Sequence, residues 1–275
     1  MGGGSQELQR LSGWQNCLVG MAAGAGSKMC NYPLLVMKNN EQIGVPTNFN
    51  PRILYRGLPI AVVNMGGTTT VQFGCTGAFQ KMLKTIVDDD TTVQMGGSLL
   101  GGLASGVPCS LWELVMVQQQ QRGGTILGTP ARILKDYGAR GLMRGMTMTL
   151  GREGLFTLAM LGITPWIQTQ LSTKAGMESN VALAAGALTG SVTAALISHP
   201  MDTIKTCQQE DLGAERYGSS RQSFALLRKE HGGMRGLYKG LKWRIALIGT
   251  TFFLVNSIKE RLAPRMFPAE FAIPM

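Results

Sequence analysis

Three ten-residue stretches of this chain fall into one frame, and that repetition limits the fold more than any other feature. Residues 33–42 read Pro-Leu-Leu-Val-Met-Lys-Asn-Asn-Glu-Gln, and residues 200–209 read Pro-Met-Asp-Thr-Ile-Lys-Thr-Cys-Gln-Gln. Residues 111–120 read Leu-Trp-Glu-Leu-Val-Met-Val-Gln-Gln-Gln, with Leu111 in the proline position. Each box is preceded by a small-xxx-small pair: Gly20 with Gly24, Gly97 with Gly101, Gly186 with Gly190. Each is followed by an aromatic or Met, a base and a glycine: Tyr55-Arg56-Gly57, Met143-Arg144-Gly145, Tyr238-Lys239-Gly240. A repeat of about 80–95 residues is too long for a solenoid unit and suits a helix pair.

Composition says where those helices lie. Charged residues are 15%, against about 25% in soluble proteins. The 44% hydrophobic content excludes disorder. The few charges are mostly basic, 26 Lys and Arg against 16 Asp and Glu, for a net +10. A mean hydropathy of only +0.09 fits helices that face lipid on one side and a wet interior on the other. Weakly polar stretches long enough to cross a bilayer recur at 14–40, 58–84, 93–120, 146–171, 180–208 and 241–263. Lys28, Arg152 and Glu153 lie within them and must face the interior, because lipid rejects ionisable groups.

The connections alternate. Segments 42–57, 121–145 and 209–240 carry +2, +4 and +2, whereas the short 85–92 and 172–179 sum to −3 and include Asp88, Asp89 and Asp90. This predicts six spans, both termini on the short-loop side, a tail over 1–13, repeats over 14–88, 89–176 and 177–264, and a tail over 265–275. The Gly-rich start shows neither a cleavable signal nor a myristoylation pattern.

Other chemistries find little support. Five scattered cysteines without CxxC spacing, and two histidines, give no disulfide framework and no metal site. Gly24-Ala25-Gly26-Ser27-Lys28 lacks the residue order of a phosphate-binding loop. No nucleophile–base set is legible, so neither an enzyme nor a cofactor is expected, and nucleic acid is not an expected partner. His199, beside Pro200, reads as a packed or capping residue.

The threefold box resembles the mitochondrial carrier family, whose signature is P-x-[DE]-x-x-[KR] closing with Gln nine residues after the proline. The resemblance runs from about Trp14 to Leu262 and also covers Asp136-Tyr137-Gly138 and Glu230-His231-Gly232 ahead of the even-numbered helices. It implies an all-α membrane protein of six transmembrane helices in three pseudo-symmetric repeats. Proline kinks would let the odd helices converge and close a funnel on the matrix side. The closing pairs would be Leu35–Met116, Glu113–Lys205 and Asp202–Lys38, braced by Gln42, Gln120 and Gln209. Two pairs keep their charges, and in the third both members are apolar, a change that can be near neutral when both partners are replaced together. Two departures stand out: Pro108 lies one turn before Leu111, and segment 42–57 is too short for a full surface helix.

On even helices the family's [FY]-[DE]-x-x-[KR] pattern falls on Gly77 and Gln80, Pro165 and Gln168, Lys259 and Leu262. No acid–base latch can be built from these, which leaves polar closure through Thr76, Gln80, Thr164 and Gln168. The family's substrate contacts, seven residues after each loop glycine, fall on Asn64, Arg152 and Leu247. Arg152 beside Glu153 resembles carriers of amino acids or other zwitterions, although the two could simply satisfy each other. Lys28 occupies a cavity position used by members that bind anions. By the same resemblance Arg56-Gly57, Arg144-Gly145 and Lys239-Gly240 mark cardiolipin sites, where a helix N-terminus meets a lipid phosphate.

Two functions follow. One is an inner-membrane solute carrier moving a small anionic or amino-acid-like metabolite by alternating access. The other is a carrier-fold protein without transport, serving as a structural or lipid-binding subunit of a respiratory or other inner-membrane complex.

Overall fold

The computed structural model describes residues 13–174, 179–230 and 232–271, so most of the expected 1–13 tail, part of the 265–275 tail and His231 lie outside the described residues. The helices are α1 (Gly13–Ile43), α2 (Pro51–Leu54), α3 (Leu58–Leu83), α4 (Asp90–Arg122), α5 (Gly128–Leu142), α6 (Met146–Thr157), α7 (Thr164–Lys174), α8 (Ser179–Glu210), α9 (Ser220–Glu230), α10 (Leu241–Met266) and α11 (Pro268–Phe271). Among the described residues there is no strand. A π-helical stretch, Leu158–Ile163, joins α6 to α7, an irregularity that no residue pattern announced. The long segments are therefore α1, α3, α4, α6 with α7, α8 and α10, and α2, α5 and α9 fill the three basic connections. The four-residue α2 agrees with the shortened first connection.

Polar and apolar surfaces are distributed inside out relative to a soluble protein. Lys38, Glu113, Asp202, Lys205 and Arg244 are buried, while Phe253 is 69% and Phe73 57% exposed, with Leu188 and Ile197 also outward. Such a surface suits a lipid surrounding. By length and composition, α4 alone among the described helices is apolar enough to be recognised as a span. The others dilute their hydropathy with the polar groups they turn inward.

Small residues set the helix spacing. A Cβ on Gly101 would lie 2.1 Å from Thr76 Oγ1 and 2.7 Å from its backbone, and one on Gly190 would lie 2.0 Å from Thr164 Oγ1. Gln80 and Gln168 lie in the same way against Gly97 and Gly186. The four side chains expected to close the short-loop side are thus committed to the α3–α4 and α7–α8 interfaces. Gly101→Ala should push these helices apart and destabilise the detergent-purified protein by about 1–3 kcal/mol. An unchanged thermal midpoint would contradict this packing.

The three loop glycines carry the pseudo-threefold geometry. Gly57, Gly145 and Gly240 cap α3, α6 and α10 with φ of 82°, 75° and 76°, a left-handed conformation that suits glycine. A Cβ at these positions would lie 3.2 Å from Met116 O, 3.1 Å from Lys205 O and 2.9 Å from Lys38 O, respectively. Each of α3, α6 and α10 therefore begins against the box-bearing helix of the next repeat, at the box residue six positions into the frame. The residue preceding the box grips the same corner. Tyr32 Oη donates to Arg56 O at 2.5 Å, and His199 Nε2 lies 2.8 Å from Lys239 O with its ring stacked on Tyr238. His199 is fully buried and packed at this corner, in keeping with the packed or capping role expected beside Pro200.

Candidate functional site

The box residues meet where α1, α4 and α8 converge. Lys38 Nζ lies 2.5 Å from Asp202 Oδ2, and Lys205 Nζ lies 3.1 Å from Glu113 Oε2 and 3.2 Å from Asp202 Oδ1. At the third station Leu35 and Met116 are 7% and 3% exposed, within one apolar cluster that includes Tyr32, Val36, Leu54 and Ile60. Two of the three glutamines follow the charge at their station. Gln42 Nε2 donates to Asp202 Oδ2 at 3.0 Å, bracing the ion pair directly. Gln120, where no ion pair exists, accepts from Asn39 and donates to Tyr32 Oη. Gln209 departs from the expected brace, because its Nε2 donates to the Ser110 carbonyl rather than to Glu113 or Lys205.

The expected substrate residues adjoin this network. Arg152 Nη2 lies 2.8 Å from Glu113 Oε2 and 2.6 Å from Glu153 Oε1, and its Nε is 3.7 Å from Asp202 Oδ1. The Arg152–Glu153 pair is thus real but not closed on itself, since Arg152 also reaches the carboxylates that hold the two lysines. Buried Cys109 sits between them, its Sγ 3.6 Å from both Arg152 and Glu153. Asn64 accepts from Thr68 one turn along its own helix at 2.8 Å. Lys28 lies within electrostatic reach of Glu113, Arg152 and Lys205. Beyond them, on the short-loop side, a cavity of about 780 Å³ opens between α1, α3 and α10, lined in part by Gly20, Met21, Thr69, Phe73 and Lys259.

One member went unread in the sequence. Arg244 Nη2 donates to Ser198 Oγ at 2.7 Å, and its Nη1 lies 3.7 Å from Asp202 Oδ2. It stands three residues before Leu247, on the same helical face and one turn nearer the ion pairs. That spacing was the available signal. Asp202 consequently faces four cations: Lys38, Lys205, Arg152 and Arg244.

The long-loop surface is organised separately. Arg144 is turned to the 211–218 loop, where its guanidinium donates to the carbonyls of Asp211, Tyr217 and Gly218. Burial would raise the Asp211 carboxyl, but backbone N–H groups of Tyr217, Arg216 and Glu215 and the charge of Arg144 hold it below the usual range. Gly240 N–H donates to Glu41 Oε1 at 3.2 Å, and Glu41 also holds Lys242 and Trp243. Hollows of about 570 Å³, lined in part by Pro46, Lys239 and Trp243, and about 440 Å³, lined in part by Gly57, Pro59 and Thr125, flank the starts of α10 and α3.

The chain shares its pattern with known proteins. The family model described as mitochondrial carrier protein matches residues 177–265. A probable mitochondrial 2-oxodicarboxylate carrier of Dictyostelium discoideum is 23% identical over 86% of this chain and 85% of its own length. The mitochondrial 2-oxodicarboxylate carrier 2 of Saccharomyces cerevisiae is 24% identical over 80% and 83%. The mitochondrial glycine transporter YMC1 of the same yeast is 27% identical over 70% and 68%. The chain is thus similar to mitochondrial carriers along most of its length, and its residues 177–265 match their family model. These likenesses support a mitochondrial solute carrier, a multi-pass protein of the inner membrane with a small-molecule substrate, and they do not favour the purely structural alternative. The match falls on the third repeat, the one whose box keeps proline, acid and base together as Pro200, Asp202 and Lys205.

Proposed function

We propose that the carrier moves an anionic or amino-acid-like metabolite by alternating access, with the Lys38–Asp202 and Glu113–Lys205 pairs as its matrix gate. The observation that carries this reading is the sharing of Glu113 and Asp202 between the gate lysines and Arg152. A substrate that engages Arg152 alters the charges holding the gate, which is the coupling that alternating access requires. Lys28, Asn64, Arg152 and Glu153 form the substrate site. The basic connections face the matrix and both termini the intermembrane space, and with paired charges on one side only, the state open to the intermembrane space dominates at rest.

Purified carrier in liposomes preloaded with a mixed metabolite pool should take up a labelled anionic or amino-acid substrate, and Arg152→Ala should abolish that uptake. A panel of labelled dicarboxylates and amino acids giving no uptake above empty liposomes would overturn the proposal.

Cardiolipin is proposed as the lipid partner, its phosphates resting beside Arg56-Gly57, Arg144-Gly145 and Lys239-Gly240 at helix N-termini. The hollows flanking α3 and α10 support two of these places. Native mass spectrometry should retain bound cardiolipin, and cardiolipin should raise the thermal midpoint of delipidated protein. A midpoint indifferent to cardiolipin would contradict the assignment.

A further inference from the structure

The charges in the buried cluster around Glu113 and Asp202 do not balance. Five cations, Lys28, Lys38, Arg152, Lys205 and Arg244, face three carboxylates, Glu113, Glu153 and Asp202. Every one of those carboxylates already has a cation within 3.1 Å. Among the charged groups of the cluster, the buried atoms left without a hydrogen bond are donors. Arg152 Nε and Arg244 Nη1 are buried without a hydrogen-bond partner, each held only at 3.7 Å from Asp202. Lys28 has no ion pair among the described residues. Unpaired charge at this depth is unfavourable and is retained where a ligand completes it.

We infer that the substrate is a dianion, a dicarboxylate held by Arg152 and Lys28 at one end and by Arg244 at the other. The inference rests on the transport reading above and narrows its substrate class. Two negative charges match the excess of two cations. An amino acid fits less well, since its ammonium would need a carboxylate and all three are engaged. Arg244 supplies the base that is missing at Leu247, which packs instead against the apolar cluster around Leu35 and Met116. Its guanidinium can take a carboxylate bidentately. As the substrate's carboxylates draw Arg152 and Arg244 away from Asp202 and Glu113, those acids lose part of the charge that fixes them, and the gate loosens from the substrate side.

The test uses purified carrier in liposomes with labelled succinate, glutarate, adipate, glycine and arginine, together with thermal midpoints of the detergent-purified protein. At least one dicarboxylate should be taken up and should raise the midpoint, whereas glycine and arginine should do neither. Arg244→Leu should lower dicarboxylate uptake by about tenfold to a hundredfold, with partial recovery in Arg244→Lys, and should remove the dicarboxylate-induced midpoint shift. Uptake of glycine or arginine with all three dicarboxylates inert would overturn the dianion inference while leaving the carrier reading intact. No uptake of any of the five would overturn both. Dicarboxylate uptake and midpoint shift unaltered by Arg244→Leu would remove Arg244 from the site.

Discussion

Asp202→Ala is expected to destabilise the carrier by about 3–5 kcal/mol, the range seen when one partner of a buried charge network is removed, and to do so more than removal of any one of its cations. The asymmetry follows from the hub geometry. Losing Lys38 leaves Asp202 with Lys205, Arg152 and Arg244 nearby, whereas losing Asp202 strips Lys38 of its 2.5 Å partner and leaves Arg244 without any carboxylate within 4 Å. Gln42 also loses its acceptor and keeps only the Thr203 hydroxyl. Thermal unfolding in one detergent, comparing Asp202→Ala with Lys38→Ala and Arg244→Ala, checks the order. Equal midpoints for the three variants would contradict the hub.

The second large effect is expected at the uncharged station. Met116→Lys places an ammonium among Tyr32, Leu35, Val36, Leu54 and Ile60, where no carboxylate waits, and should cost about 3–5 kcal/mol. Adding Leu35→Glu restores the acid–base pattern of the other two stations and should recover much of that loss. A double-mutant cycle measures the coupling directly. Additive destabilisation would mean that these two positions do not face each other as a gate pair.

Much of the fold was legible because the signature residues act through the backbone as well as through their side chains. Gly57, Gly145 and Gly240 were visible as a repeated base-glycine step, and each proves to be a left-handed cap pressed onto the neighbouring helix at Met116, Lys205 or Lys38. The two charged box pairs were implied by the family resemblance, and their members lie within ion-pair distance in the fold. Other features depend on three-dimensional neighbours that spacing does not encode. Leu158–Ile163 becomes π-helical around Gly162 and ahead of Pro165, which cannot donate to Leu161 O, a combination that hydropathy and box spacing do not reveal. Thr76 and Gln80 resemble a polar latch in the sequence, yet Gly97 and Gly101 opposite give them close seats between α3 and α4. Gln209 was assigned by homology of position, and its amide is taken by the carbonyl of Ser110. Arg244 lies one helical turn from Leu247 on the same face, a neighbour that the spacing of the family's contact positions does not mark.

The proposed substrate site was legible as a list of residues but not as a connected unit. The sequence places Arg152 next to Glu153 and far from Glu113 and Asp202, and only the convergence of α4, α6 and α8 joins all four. That junction turns separate binding and closing residues into one network, and it is the core of the transport account.

The most direct measurement is a reversible lock on the gate itself. Leu35→Cys with Met116→Cys, in a background lacking Cys17, Cys30, Cys75, Cys109 and Cys207, places two thiols at the apolar station between α1 and α4. Oxidation in liposomes should abolish uptake of a transported substrate in the cross-linked fraction, and reductant should restore it. Undiminished uptake by quantitatively cross-linked protein would show that this level does not open during transport, and the gate assigned here would be wrong.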